Sequence, residues 1–491
     1  MGKITAWLKK NWLLVLIIVV GAFLRLYKID QYMTFLGDEG RDAIIVRRLL
    51  VDFDPILIGP GTSIGNMYLG PLYYYMMAPA LLLANFSPVG PAVMIALLGV
   101  VTVWFVWKIG KEWFGNAAGL VAAALYAVSP TVIIYSHSSW NPNIMPFFAL
   151  LSIYSIWRVW RHKEFKWLLV LGVSYAFVLQ SHYLGLLLVP VLFLFWFLSR
   201  PPLRYTVYSA LIFLLLMSPL VIFDARHGWM NFNAMKTFFT ARQATVSARP
   251  WNAIPKLYPQ FEEVNTSLIG GKNKTAGKFA SAVLLAGVIL VLVKAKKTVF
   301  HTPHFLLLVW LGAALIGFGL YKQQIYDHYF GFIFPVPFLL AGALSREILN
   351  GKQKILKMFL FPSLFFLVFV NLANSPLRSS PNQQLRRSVE VTRKIKEESA
   401  GKRFNLAVLA ERNYEDGYEY FLLKDELPVV DIDAQRPDTV TDQLFAVCEL
   451  PKEKCDPTHS AKAEVANFGW SKIDGEWEVF GVRLYKLGHT Q

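Results

Sequence analysis

The chain has 491 residues, of which 55% are hydrophobic, 15% aromatic and only 17% charged, and its mean hydropathy is +0.41. Soluble domains carry about 25% charged residues, whereas here apolar residues recur in runs of about 17 to 20, the length that crosses a bilayer as a helix. This composition excludes a soluble enzyme and a disordered chain. A membrane β-barrel is disfavoured as well, because its strands alternate over about 10 residues. The sequence therefore predicts an all-α polytopic membrane protein.

The apolar runs predict twelve candidate spans, at residues 11–27, 68–85, 90–108, 116–135, 143–160, 166–181, 183–199, 205–223, 279–294, 303–321, 328–345 and 355–372. The short loops rich in Lys and Arg are cytoplasmic by the positive-inside rule, which puts the N-terminus in the cytoplasm and the C-terminal region outside. One conflict remains, because the run 68–85 would then connect two outside ends. Either it is re-entrant or one span is miscounted there, so we expect about 11 to 13 transmembrane helices.

Two domains are predicted, a transmembrane module at 1–372, whose first outside loop is 28–67, and a soluble extracytoplasmic α/β domain at 373–491. The first has a net charge of +19 and the second of −3. The basic excess thus belongs to the membrane part, where lipid phosphates favour cations, and a nucleic-acid partner is not expected.

The C-terminal domain has strand-like runs at 405–409, 444–448 and 479–487 and a helix-like stretch around 389–398. Cys448 and Cys455 are the only cysteines and lie in this domain. Outside the cytoplasm they would form a disulfide, and two unpaired thiols are the alternative.

The first outside loop holds six of the 13 acidic residues of the membrane module, Asp30, Asp38, Glu39, Asp42, Asp52 and Asp54. If a helix begins at Asp38, Arg41 falls on the same face as Asp38, with Asp42 above it. Such a helix would lie along the membrane interface, because Ile44, Ile45, Leu49 and Leu50 would give it an apolar side. A half-desolvated carboxylate at this surface can act as a base. The alternative is a solvated helix N-terminus, where acidic residues are common because the helix dipole favours them.

Further polar groups lie at span ends on the same predicted side of the membrane. They are His137, Asn141, His182, Tyr183 and His328, together with the cations Arg25, Arg41, Arg47, Arg48 and Lys322. Ionisable groups that converge at one membrane face indicate a functional site, and the cations could hold phosphate oxygens. The alternatives are interfacial hydrogen bonding for each histidine and contact with lipid headgroups for each cation.

The order of these motifs resembles the polyprenyl-phosphate-sugar-dependent glycosyltransferases with the membrane-embedded C-type fold, and more narrowly the protein O-mannosyltransferase and aminoarabinose-transferase superfamily. The motifs are Asp38-Glu39-Gly40-Arg41-Asp42 after the first span, 70–75 (Gly-Pro-Leu-Tyr-Tyr-Tyr), 140–143 (Trp-Asn-Pro-Asn) and 182–183 (His-Tyr). The family has a tyrosine where this chain has Asp42, which puts the role of that ring in doubt. The resemblance covers roughly residues 11–345.

The resemblance implies that Asp38 is the general base that deprotonates an acceptor hydroxyl or amine, and that sugar transfer expels polyprenyl phosphate with inversion. Glu39 would orient the acceptor or, with Asp38, hold a divalent metal ion (Mg, Mn or Zn). Arg41 and Lys322 would hold the leaving phosphate. His182, Tyr183, His328 and Asn141 would complete the substrate site. The implied partners are a polyprenyl-phosphate sugar, a protein, lipid or glycan acceptor, and membrane lipids.

Two other functions remain open. A lipid or sugar transporter would have as many spans, but it would usually show related halves and charges near the middle of its spans. A lipid-linked-oligosaccharide ligase or polymerase would use arginine and histidine in a late loop, and 224–277 contains Arg226, His227, Arg242 and Arg249.

Overall fold

The computed structural model describes residues 2–62, 65, 67–240, 245–247 and 249–490, with the backbone alone at 2–5, 239 and 294–298. The α-helices of this part of the chain are α1 (Gly2–Lys10), α2 (Trp12–Leu26), α3 (Ile29–Tyr32), α4 (Gly37–Val51), α5 (Leu72–Leu83), α6 (Val89–Phe114), α7 (Asn116–Val128), α8 (Pro130–Ile134), α9 (Met145–His162), α10 (Trp167–Ser181), α11 (Val189–Ser199), α12 (Leu203–Arg226), α13 (Met230–Thr240), α14 (Leu257–Leu268), α15 (Lys274–Ala295), α16 (Pro303–Leu320), α17 (Pro335–Asn350), α18 (Lys354–Ala373), α19 (Gln384–Ser399), α20 (Asp416–Lys424) and α21 (Ala463–Phe468). The strands are β1 (Asn405–Leu409), β2 (Gln443–Cys448), β3 (Ser471–Val479) and β4 (Val482–His489).

Every predicted span coincides with a helix or a pair of successive helices. Within the described residues, five helices are long and apolar enough to cross a membrane (α6, α12, α15, α16 and α18), and a sixth crossing would join α17 to the 3-10 helix Asp327–Ile333. The two parts of that pair meet at 56°. Pro335 begins α17 and has no N–H with which to continue the preceding 3-10 helix. Pro130 divides the run 116–135 into α7 and α8, because the residue before a proline is disfavoured in a helix and Ser129 is extended.

The conflict at residues 68–85 falls on a helix that is too short to cross a bilayer. Helix α5 has 12 residues, about 18 Å, which is shorter than a hydrocarbon core of about 30 Å. At its start, the Leu72 N–H donates to Gln180 Oε1 at 3.2 Å, close to the end of α10. Just beyond its end, the Phe86 carbonyl accepts from the Tyr420 hydroxyl of the C-terminal domain at 2.6 Å. This geometry favours the re-entrant alternative.

Arg25 has a structural role that differs from the predicted contact with phosphate. Its side chain is fully buried, and Nη1 donates to the carbonyls of Gly21 at 3.0 Å and Ala127 at 2.9 Å. Nη2 donates to Tyr126 O at 3.4 Å. The guanidinium therefore binds carbonyls at the end of α7, which a helix leaves without intrahelical partners.

The C-terminal domain is a four-stranded sheet of order β1-β2-β4-β3. Strand β1 pairs parallel with β2, and the other two pairings are antiparallel. The predicted strands 405–409 and 444–448 are confirmed, and the predicted helix is α19. The predicted strand 479–487 is wrong at its start, because Phe480 and Gly481 form the β3–β4 turn with φ of 48° and 79°. Strand β3 is mostly polar and exposed, so it lacked the apolar pattern of a strand.

A disulfide joins Cys448, the last residue of β2, to Cys455. We expect the Cys448→Ala/Cys455→Ala variant to lower the free energy of unfolding of this domain by about 2–3 kcal/mol, because the bridge restricts the unfolded chain. Hydrogen exchange of the β2 and β4 amides in the full chain measures this loss. Exchange as slow as in the oxidised wild type would contradict the prediction.

Candidate functional site

Helix α4 presents the acidic motif at its first turn. It begins after Leu36, whose backbone is extended and whose N–H donates to Glu39 Oε2 at 3.0 Å. Acidic side chains in a first turn are favoured by the helix dipole, so the sequence itself defines this start. Ala43 and Val46 are buried on the inner side of the helix. The predicted helix is thus present, and its place along the membrane interface stays a prediction.

Asp38, Arg41 and Asp42 are joined by ion pairs. Arg41 Nη1 lies 2.8 Å from Asp38 Oδ1, and Arg41 Nη2 lies 2.8 Å from Asp42 Oδ1. The Tyr74 hydroxyl of α5 donates to the same Asp42 oxygen at 2.9 Å. The expected proximity of Asp38 and Arg41 is therefore present. The guanidinium that was expected to hold phosphate binds two carboxylates instead, and its role toward phosphate stays a prediction.

Asp42 is fully buried although the sequence assigned it no role of its own. Its Oδ1 accepts from Arg41 and Tyr74, whereas Oδ2 has no hydrogen-bond partner among the described residues. Burial raises the pKa of this carboxyl to about 6, with Arg41 opposing the rise. Asp42 fixes the guanidinium from the side opposite Asp38, so that one arginine links both carboxylates.

Glu39 is also buried, in contrast to Asp38, whose side chain keeps 43% of its exposure. Burial raises the pKa of the Glu39 carboxyl to about 7, and the bond from Leu36 N–H opposes the rise. Glu39 thus acts as the cap of α4, and its expected contact with the acceptor stays a prediction.

This burial predicts a pH-dependent stability. Because the pKa of Glu39 is higher in the folded than in the unfolded chain, the folded state binds more protons between about pH 4.5 and 7, and stability falls as the pH rises through this window. Glu39→Gln keeps an acceptor for Leu36 N–H, so we expect it to stabilise the protein by about 1–3 kcal/mol at pH 8 and little at pH 4.5. Thermal unfolding in detergent as a function of pH measures the difference. Glu263→Gln, which changes an exposed residue of α14, is the control. If wild type and Glu39→Gln have the same dependence of stability on pH, the raised pKa of Glu39 is not the cause.

Two of the three predicted histidines, His182 and His328, form a second group. The rings of His182 and His328 have centroids 6.0 Å apart, and His328 packs edge-on against Trp140 at 4.8 Å. The Leu184 N–H donates to His182 Nδ1 at 3.1 Å, which leaves the proton of the neutral ring on Nε2 as a donor. Tyr73 connects this group to the carboxylates, because its hydroxyl lies 2.5 Å from Ser139 Oγ, next to Trp140, while the adjacent Tyr74 reaches Asp42.

Other predicted residues make contacts within the protein. Asn141 Nδ2 donates to Ser181 O at 2.7 Å, and the Tyr183 hydroxyl donates to Tyr68 O at 2.5 Å. His137 Nε2 lies 3.0 Å from Leu24 O. These bonds hold the loops of the site together, and the roles of Asn141 and Tyr183 toward substrate stay predictions.

The remaining predicted cations lie on α4 and next to the end of α16. Lys322 is exposed at the end of α16, and its backbone N–H donates to Thr245 O at 2.9 Å. Arg47 is half-buried and Arg48 exposed on α4. Of the residues that would indicate a ligase, Arg226, His227 and Arg249 are exposed, and Arg242 lies outside the described residues.

The described residues do not fit the predicted metal ion. They contain no group of three or more His, Cys, Asp or Glu side chains placed to hold a metal. Glu39 is used as a helix cap, and the Arg41 cation lies against Asp38, where a second cation would be repelled. The contacts of Asp38 and Glu39 therefore do not support a metal ion bound by these two side chains.

Sequence reasoning missed the residues that other parts of the chain bring to Asp38. Tyr414, just before α20, donates from its hydroxyl to Asp38 Oδ1, and Asn413 Oδ1 accepts from Gly37 N–H at 2.9 Å. Tyr73, Tyr74 and Ser139 were missed as well. The tyrosines at 73–75 were noticed as a motif, but nothing in the sequence pairs residue 38 with residue 414.

The fold defines a class: a polytopic membrane protein with the C-type glycosyltransferase fold. Residues 69–223 match the family described as dolichyl-phosphate-mannose-protein mannosyltransferase. The match covers less than half of the chain; it bears out the predicted resemblance there and supports the predicted enzyme class, glycosyltransferase. The predicted fold class is confirmed by a solved structure. No curated protein sequence matches the chain.

Solved structures show the same fold at low sequence identity. ArnT from Cupriavidus metallidurans bound to undecaprenyl phosphate has a TM-score of 0.63 and 11% identity, covering 97% of this chain and 98% of that one. AglB, the oligosaccharyltransferase of Archaeoglobus fulgidus, in complex with an inhibitory peptide and a dolichol-phosphate, has a TM-score of 0.55 and 14% identity, covering 90% of this chain and 70% of that one. The Archaeoglobus fulgidus oligosaccharyltransferase with Zn and sulfate has a TM-score of 0.56 and 15% identity, and this chain spans 61% of its length.

Proposed function

We propose that the protein transfers a monosaccharide from a polyprenyl-phosphate carrier to a protein, lipid or glycan acceptor on the extracytoplasmic side of the membrane. The observation that carries the proposal is the partly exposed Asp38 carboxylate, which Arg41 holds at the start of α4 beside the buried Asp42. The family match and the fold shared with a structure that binds undecaprenyl phosphate support a lipid-linked donor.

In the proposed reaction Asp38 removes the proton of the acceptor hydroxyl or amine. The acceptor atom bonds to the anomeric carbon of the sugar as the bond from that carbon to the phosphate oxygen breaks. The electron pair leaves with polyprenyl phosphate, and displacement from the opposite face inverts the anomeric centre. Phosphate is a good leaving group without protonation, so the site needs one carboxylate as a base and no second one as an acid.

The leaving phosphate gains negative charge, which nearby donors and cations must stabilise. His182 is proposed for this role because its Nε2 carries the proton. His328 is proposed because its ring lies near that of His182, and Lys322 because it lies in the loop that leads to His328. Arg41 is proposed to orient Asp38 rather than to hold phosphate, because it already binds two carboxylates.

Incubation of the purified protein with a radiolabelled polyprenyl-phosphate sugar tests the proposal. We expect release of polyprenyl phosphate in amounts equal to the sugar transferred, and a product whose anomeric configuration is opposite to that of the donor by NMR. Retention of configuration would contradict direct displacement. Movement of intact lipid-linked sugar across a vesicle membrane without cleavage would favour the transporter.

A further inference from the structure

The C-terminal domain contacts the first turn of α4 at the proposed base. The Tyr414 hydroxyl donates to Asp38 Oδ1, and Arg41 Nη1 donates to the Tyr414 oxygen at 3.2 Å. The adjacent Asn413 accepts from Gly37 N–H at 2.9 Å. Two successive residues of the domain thus bind two successive residues of the first turn of α4, and one of these bonds ends on the carboxylate that is proposed to react.

The segment that carries Tyr414 is fixed within its own domain. Asn413 Nδ2 donates to Glu449 Oε1 at 2.7 Å, and the Tyr418 hydroxyl donates to the same oxygen at 2.6 Å. The Tyr414 N–H in turn donates to Asn413 Oδ1 at 3.0 Å. Asn413 is buried, whereas Tyr414 is half-buried, and burial together with its bond to Asp38 raises the pKa of the Tyr414 phenol, which keeps it a donor.

The position of these bonds on the carboxylate has a chemical consequence. Among the described residues, both groups that bond to the Asp38 side chain, Arg41 Nη1 and the Tyr414 hydroxyl, reach Oδ1. Two donors on one oxygen fix the plane of the carboxylate and leave Oδ2 to accept a proton from the acceptor. A base held within a narrow range of orientations transfers protons faster than one that rotates freely.

We propose that Tyr414 is a positioning residue for Asp38, so that the C-terminal domain completes the catalytic centre of the membrane module. The proposal rests on the proposed function of Asp38 as the base. It assigns a role to a domain that the family match, at residues 69–223, does not include.

The competing explanation is that the bond only holds the two domains together, and Tyr420 offers a matched control. Its hydroxyl also crosses from the C-terminal domain to the membrane module, where it donates to Phe86 O at 2.6 Å. Tyr414→Phe and Tyr420→Phe therefore each remove one hydroxyl that bridges the domains, and only the first removes a bond to the base.

The test compares the kcat and the KM for a polyprenyl-phosphate sugar in the two variants of the full chain. We expect Tyr414→Phe to lower kcat about 10- to 100-fold with little change in KM, because it removes a hydrogen bond to a charged group and leaves the donor site intact. Tyr420→Phe should keep the wild-type kcat. A wild-type kcat in Tyr414→Phe, or an equal loss in both variants together with an equal fall in thermal stability, would overturn the positioning role.

A spectroscopic measurement tests the contact without turnover. With 3-fluorotyrosine at position 414 alone, we expect Asp38→Asn to shift the 19F resonance, whereas a probe at position 420 should not respond. An unchanged resonance at 414 would show that the two side chains are not coupled. If Asp38→Asn transfers sugar at the wild-type rate, the proposed function fails; if it is inactive and Tyr414→Phe is fully active, only the positioning role fails.

Discussion

Asp38→Asn is expected to reduce sugar transfer by about 10²- to 10⁴-fold, the usual contribution of a general base. The amide has the size of the carboxylate and can still accept a hydrogen bond from Arg41 or Tyr414 through its oxygen, but it cannot take a proton from the acceptor. The loss should therefore appear in kcat, while the KM for the lipid donor stays close to that of the wild type. Initial rates with a radiolabelled polyprenyl-phosphate sugar measure it.

The matched control is Asp54→Asn, which makes the same change at an exposed aspartate of the same loop. We expect it to have the wild-type kcat. Thermal unfolding of both variants separates a chemical effect from a loss of structure, because Asp38 is partly exposed and its replacement leaves Asp42 to hold Arg41. Wild-type turnover by a folded Asp38→Asn protein would require a different base.

The part of the site that could be predicted from the sequence is the part that local geometry determines. The pairing of Asp38 with Arg41 follows from their spacing of three residues in a helix. For His182 and His328 the sequence predicts only that both lie on the same side of the membrane. It does not predict that they are close, because two span ends on one side can lie far apart. The fold brings their rings together.

Contacts between distant segments could not be predicted. The bond between Asp38 and Tyr414 joins residues separated by 376 positions, and no pattern in either segment indicates the other. Arg25 shows a second limit of prediction from the sequence. An arginine at the end of an apolar run looks the same in the sequence whether it binds lipid phosphate or, as here, the carbonyls at the end of a neighbouring helix.

Gly40→Ala is expected to separate the C-terminal domain from α4. An added Cβ at residue 40 would lie 2.3 Å from the Asp416 carbonyl oxygen and 2.5 Å from Gly417 N. Both are backbone atoms at the start of α20, so no side chain can rotate to make room. In an ordinary helix interior the same change stabilises a protein by up to about 1 kcal/mol, whereas overpacking of this kind costs about 1–3 kcal/mol.

The displacement should also break the bonds that Asn413 and Tyr414 make to α4, since these residues directly precede α20. We expect transfer activity to fall together with the protection of the α4 and α20 amides in hydrogen exchange. Gly312→Ala is the control, because Gly312 lies within α16 and a Cβ there meets no atom within 4 Å. If Gly40→Ala changes neither hydrogen exchange nor transfer activity, the domain does not pack on α4 as closely as in the structure. The positioning role of Tyr414 would then be wrong as well.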